Sequence, residues 1–230
     1  YFGRLSDRVG RKRIMVAGCL LAALTYIPIF KGLTHSVNPA LAEFQVRAAV
    51  TVAGKDCRFR IFAKPATPCD QAQDFLTKAG VNYERVAAEA GEAVVTTIAG
   101  QRLAGFDEAA YREALEQAGH PGAPDPGRMN LAVTLALLVV LMLYVTMVYG
   151  PIAAFLVELF PTRIRYSSMS LPYHIGNGWF GGFLPFLASA LVVLTGNIYY
   201  GLWYPIAVAA MSGVVGLTGI RETKDVDLRS

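Results

Sequence analysis

The chain has 230 residues, 54% of them hydrophobic, with a mean hydropathy of +0.40. A soluble globule of this size and balance would leave too much apolar surface in water, so the composition excludes a simple soluble domain and points to lipid as the main solvent. The net charge of +4, from 21 Lys and Arg against 17 Asp and Glu, does not point to nucleic acid, because the cations gather in short segments beside apolar runs instead of forming one patch.

Taken in chain order, the sequence opens at Tyr1 without a methionine and without a secretory leader pattern, so an N-terminal portion is expected to be missing. A basic segment, residues 3–13, precedes a first apolar run at 14–33. Crossing a hydrocarbon core takes about 20 mostly apolar helical residues, and that run suffices. From 45 to 128 the long apolar runs disappear. Asn38-Pro39 and the Pro- and Gly-rich stretch 120–127 mark the edges of this inserted domain.

Within the insert, 46–53 and 58–62 read as strands and 70–79 as a helix ended by Gly80. A similar round follows: strands at 81–86 and 93–98, then a helix over 107–118 with Asp107 as N-cap and Gly119 past its end. A small α+β domain of two similar halves is expected. Three further spans follow at 129–159, 167–194 and 198–220. The fold class is thus an all-α membrane protein with four transmembrane helices and a soluble α+β insert. It divides into 1–44, 45–128 and 129–230.

Charge sets the expected orientation. Arg4, Arg8, Arg11, Lys12 and Arg13, then Arg163 and Arg165, then Arg221, Lys224 and Arg229 lie beside span ends, and such segments stay cytoplasmic. With four spans both chain ends share that side. Residues 45–128 then face outward, into the periplasm of a bacterial inner-membrane protein. Cys57 and Cys69 fall in this oxidising location, and a disulfide between them is expected, with two free thiols as the alternative. Cys19, inside the first span, reads as a packing residue.

The run Gly3-Arg-Leu5-Ser-Asp7-Arg8-Val-Gly10-Arg11-Lys12 carries the strongest signal. Glycines permit a tight turn and close backbone approach. Asp7 suits the positive end of a neighbouring helix, and Arg8, Arg11 and Lys12 would share a face in one helix. The run resembles the signature loop of the major facilitator superfamily, Gly-x-Leu-x-Asp-Arg-x-Gly-Arg-Lys, at every defining position. A second run, Tyr149-Gly-Pro151 leading to Glu158-Leu-Phe-Pro161-Thr-Arg163 and Arg165, resembles the tenth span and following loop of that superfamily's metabolite:proton symporter branch.

The resemblance implies twelve spans in two halves, with this chain holding the ninth to twelfth. It implies coupling to protons and substrates such as organic acids or betaines. The partners are then the bilayer, protons, a small-molecule substrate and the missing N-terminal spans. It covers the spans and leaves the insert out.

Together the two loops suggest a cytoplasmic gate of Gly3, Asp7, Arg8, Gly10, Arg11, Glu158, Arg163 and Arg165. In it Asp7 contacts Arg165, Arg11 contacts Glu158, and Asp7 caps a helix starting near Ser167 and Ser168. The plainer alternative is that these charges only set topology.

Polar and aromatic groups also interrupt the third apolar span. Tyr173, His174 and Asn177, with Tyr149, are candidates for a central cavity, Asn177 bonding substrate and His174 carrying a proton. An interhelical packing bond is the alternative for His174. Gly176, Gly178 and Gly181 formally match a dinucleotide fingerprint, but no strand precedes them and no acidic residue follows at the needed distance. Gly178 and Gly182 are expected instead at a close helix contact. Glycines 213, 216 and 219 likewise read as packing. The sequence has no metal-ligand spacing and no nucleophile motif, so no metal, no cofactor, no nucleic acid and no enzymatic reaction is expected. A different class of function stays open, in which the insert is a ligand-binding or docking module that the spans merely support.

Overall fold

A computed structural model describes residues 1–54, 57, 65–87 and 94–226. Its helices are α1 (Phe2–Val9), α2 (Arg11–Val37), α3 (Pro39–Arg47), α4 (Pro68–Lys78), α5 (Glu108–Gln117), α6 (Leu131–Leu159), α7 (Arg165–Ile175), α8 (Leu184–Thr195) and α9 (Trp203–Gly219). The strands are β1 (Val50–Ala53), β2 (Glu84–Val86), β3 (Val95–Ile98) and β4 (Gln101–Ala104). Four helical stretches are long and apolar enough to cross a membrane: Arg11–Val37, Leu131–Leu159, Arg165–Thr195 and Tyr200–Gly219. The third is interrupted by a π-helical turn, Gly176–Gly181, and the fourth opens with a 3₁₀ turn, Tyr200–Leu202.

The chain forms two units, one of Tyr1–Ile29, Leu135–Phe186 and Leu202 onward, the other of Phe30–Thr134 and Leu187–Gly201. In the first, small residues let helices approach. A Cβ on Gly18 of α2 would meet the Met147 and Val148 side chains of α6, while Gly213 and Gly216 of α9 face Leu20 and Val16 of α2. Thr25 Oγ1 donates to the Tyr144 hydroxyl at 3.1 Å. Outward-facing apolar residues such as Leu135, Val139 and Met142 are exposed, as lipid contact requires. Gly178 does not make the helix contact expected of it: among the described residues nothing lies within 4 Å of a Cβ placed there, and a Cβ on Gly182 would meet the Gly178 and Asn177 carbonyls. Gly178 belongs to the π-helical turn and Gly182 follows its last residue.

In the second unit the sheet runs β2-β1-β3-β4, with β1 parallel to β2 and antiparallel to β3, and β3 antiparallel to β4. Parallel pairing needs a crossover, and α4 supplies it. Thr67 and Asp70 start α4 with a reciprocal capping box, and Gly80 ends it at φ +70°. Asp107 caps α5 by accepting from the Ala109 N–H. Phe44, Val52, Leu76, Val81, Ile98 and Tyr111 build the buried core. The Tyr111 hydroxyl lies 2.6 Å from Thr96 Oγ1 and donates to the Gly105 carbonyl at 3.0 Å. A disulfide joins Cys57 to Cys69.

Several expectations shift. Residues 46 and 47 finish α3, which Asn38 caps through the Leu41 N–H, so the strand starts only at Val50. Strand β4 was not expected; it follows a two-residue turn at Ala99 and Gly100, both at positive φ. The expected strand at 58–62 lies outside the described residues. Across the two expected halves, β1 of the first pairs in parallel with β2 and antiparallel with β3 of the second.

His120 is half-buried, its Nε2 3.1 Å from the Ala79 carbonyl and its ring edge-on to Phe44. Burial pushes the imidazole below its ordinary range, against the opposing pull of that carbonyl. The neutral ring is therefore the native form. Its contribution to stability is complete above the unfolded value of about 6.5 and declines as pH falls from there through the lower native value. Hydrogen-exchange protection of α3 and α4, corrected for intrinsic rates, should fall between pH 7.5 and 5.5, and His120→Gln should flatten that dependence.

Candidate functional site

Gly10 sets the geometry of the opening loop. Its φ of +119° ends α1 and lets α2 begin at Arg11, and a Cβ there would collide with the Glu222 carboxylate. Arg8 therefore closes one helix while Arg11 and Lys12 open the next, so the three do not share the single face expected of them. Gly3 packs on Gly150, whose own Cβ would press on Phe2 and the Gly3 nitrogen. Ser6 is fully buried and donates to the Gly3 carbonyl at 2.6 Å.

Arg11 is the hub. Its Nε donates to Glu158 Oε2 at 2.6 Å, and a terminal nitrogen donates to Asp7 Oδ1 at 2.7 Å. The Arg11 and Glu158 side chains are only 12% and 8% exposed, so this is a largely desolvated pair, whereas Asp7 is 58% exposed. Thr223 Oγ1 also donates to Glu158 Oε2, at 2.7 Å. Losing one member of such a pair strands a buried charge.

Asp7 and Arg165 do not meet. Arg165 instead donates from Nε to the Phe160 carbonyl at 3.1 Å, five residues back along its own loop. Asp7 is held by Arg11, four residues on and across the Gly10 break. Nor does Asp7 cap the helix near Ser167 and Ser168: α7 begins at Arg165, its N-cap is Ile164, and no side chain caps it. Arg8 and Arg163 are exposed, and among the described residues neither side chain forms an ion pair.

The C-terminal segment supplies what the sequence reading missed. Glu222 accepts from the Arg11 N–H at 2.8 Å and also bonds the Lys12 N–H, placing a carboxylate on the positive end of α2. Burial pushes this carboxyl up, but the backbone N–H groups of Arg11, Thr223, Lys12 and Lys224 outweigh it and hold the group below its usual range. Lys12 Nζ reciprocates by donating to the Leu217 and Ile220 carbonyls at 2.9 and 2.8 Å, at the end of α9. Lys224 Nζ reaches the Arg8 carbonyl at 3.3 Å, where α1 ends. Helix ends are thus tied by oppositely charged partners. Nothing in the mixed-charge tail singles out Glu222, which lies 211 residues from Arg11 in sequence.

A cavity of about 400 Å³ opens in the same unit. Its walls are mainly apolar, including Met15, Val16, Ile152, Phe155 and Leu156. Tyr149, Tyr173 and Asn177 all line it, as does Ser212. Among the described residues none of these four side chains has a hydrogen-bond partner. His174 is not among the lining residues: its Nδ1 sits 2.7 Å from the Ser170 carbonyl one turn back, and the ring is exposed. Helical phase explains the split, because 173 and 177 share a face that 174 does not. Among the described residues no group of His, Cys, Asp and Glu could hold a metal ion.

No protein-family profile and no solved structure matches the chain. Two curated proteins of Haemophilus influenzae do match, each named "Putative metabolite transport protein". One is 45% identical over 80 residues, which is 34% of this chain and 17% of that protein; the other is 35% identical over 96 residues, 40% of this chain and 21% of that protein. The chain thus spans about a fifth of the length of these relatives. Together with the four span-length helices, the matches support the resemblance to a metabolite transporter of the major facilitator kind and a multi-pass membrane protein.

Glu158→Gln should strand Arg11 and lower stability by about 3 kcal/mol, read as a drop in melting temperature in detergent. The exchanged pair Arg11→Glu with Glu158→Arg should recover part of that loss.

Proposed function

We propose that the chain supplies the ninth to twelfth spans of a secondary transporter that moves a small metabolite, an organic acid or betaine-like compound, by proton symport through alternating access. The observation that carries this reading is a mainly apolar cavity, with Lys12 in its lining, in which three polar side chains, Tyr149, Tyr173 and Asn177, have no hydrogen-bond partner among the described residues. Polar groups inside a membrane protein are costly unless something bonds them. A substrate bearing hydrogen-bonding groups meets that need. The names of the matched transport proteins agree with it, and a non-enzymatic role is part of the proposal.

The lattice around Arg11 is the proposed cytoplasmic gate. A desolvated pair and several exposed bonds can bias two conformations without locking either, since an exposed pair contributes only about 0–1 kcal/mol. Opening the gate would break the Arg11 to Glu158 bond and release Glu222 from the start of α2. In this reading residues 1–44 form the signature loop and ninth span, 45–128 the periplasmic insert, and 129–230 the remaining spans and tail. Both ends face the cytoplasm of a bacterial inner membrane. With His174 outside the cavity lining, the proton is assigned to groups beyond this chain, in the missing N-terminal half.

The test is uptake by the intact transporter in proteoliposomes, with labelled carboxylates, amino acids and betaines and an imposed proton gradient. One class should accumulate and an uncoupler should abolish it. Asn177→Ala should raise KM about tenfold, the effect of losing one strong hydrogen bond, and Asp7→Asn should cut uptake without impairing insertion. Flat uptake across the panel by folded protein would refute the proposal and favour the insert as a ligand-binding or docking module. Replacing residues 46–128 by a short flexible linker separates these readings, since a transporter keeps residual uptake and a binding module loses its function.

A further inference from the structure

The C-terminal end of α8 is an incomplete structure on its own. The last carbonyls of a helix lack intrahelical donors, and here the insert provides them. The Tyr83 hydroxyl donates to the Val193 carbonyl at 2.8 Å, Arg85 reaches the Leu194 carbonyl at 3.4 Å, and the Tyr83 N–H donates to the Gly196 carbonyl at 2.8 Å. Beyond the helix, Asn82 Oδ1 accepts from the Ile198 N–H at 2.9 Å. Donors for the carbonyls of 193, 194 and 196 thus come from Tyr83 and Arg85, in the single segment 82–85 that runs into β2.

The fit is close as well as polar. Gly196 sits at φ +69°, and a Cβ there would collide with the Tyr83 carbonyl. Tyr83 is buried, which pushes its phenol up and keeps it a donor. Two of the three contact residues are braced by bonds within the insert: Asn82 Nδ2 donates to Gln45 Oε1 at 3.3 Å, and Arg85 donates to the Cys57 carbonyl at 2.8 Å, beside the disulfide. The cation of Arg85 also suits the negative end of a helix.

We propose that the insert is a clamp on the end of α8, fixing the corner at 193–198 and thereby setting how readily the helix that follows can reorient. This gives the insert a function that needs no ligand of its own. It rests on the transporter reading for its consequence but not for its existence. An element whose last turn is bonded to a disulfide-braced domain opens less often than a frayed helix end.

Hydrogen–deuterium exchange on the intact transporter tests the clamp directly. Asn82→Ala and Tyr83→Phe should each speed exchange across 193–200 by about tenfold, while α5 and the core of α4 keep their protection. In proteoliposomes the same variants should change the maximal uptake rate and leave KM alone. Unchanged exchange at 193–200 in both variants would overturn the clamp. So would faster exchange with an unaltered uptake rate, which would reduce the contact to packing. If Asn82→Ala also loosens the insert core, Tyr83→Phe decides, since its ring fills the same volume. Failure to find any transported substrate would sink the transporter reading and leave the exchange result standing.

Discussion

The Arg11 to Glu158 pair is the constraint on which the first unit depends. A guanidinium and a carboxylate this far out of water are tolerable only when both are bonded, and the surrounding residues can be understood from that demand. Ser6 and Asp7 both accept from one terminal nitrogen of the guanidinium, and Thr223 shares the Glu158 oxygen. Gly10 provides the break that turns the Arg11 backbone toward Glu222. The carboxylate at the start of α2 and the Lys12 ammonium at the end of α9 are complementary uses of helix-end polarity.

Much of this was legible in the sequence, and the limits are instructive. Spacing alone cannot say which acid an arginine will find, yet the pairing of Arg11 with Glu158 follows from the two loop motifs. Asp7 and Arg165 were misjudged because local partners won: Asp7 meets Arg11 four residues on, across the Gly10 break, and Arg165 reaches a carbonyl in its own loop. Glu222 was invisible for the opposite reason, since nothing local announces a contact 211 residues away. In the insert, the capped helices were evident from Asp107, Gly80 and Gly119. Strand β4 was hidden because it is four residues long, mostly exposed and opens with two polar residues, and because Ala99 occupies a turn position where Asn or Gly would have given the signal.

Tyr149, Tyr173 and Asn177 were brought together for a reason the sequence does contain, the helical phase of 173 and 177. The same phase removes His174. A titratable residue in an apolar run attracts attention by its chemistry, but its direction is set by the turn it occupies. Here a neighbouring backbone carbonyl holds its ring nitrogen.

The ends of the insert meet the spans at one place. The Asn130 N–H donates to the Ser36 carbonyl at 2.8 Å, and Thr134 Oγ1 donates to Ser36 Oγ at 3.1 Å, so the last turn of α2 is stitched to the first turn of α6. A chain that leaves and re-enters at a stitched point imposes little entropy on its host, because the long loop is already closed at its neck. The two sides of that neck can acquire their structures in either order. A large domain can thus be carried between consecutive spans, in the way a side branch is carried by a stem, without lengthening the path the stem itself must close.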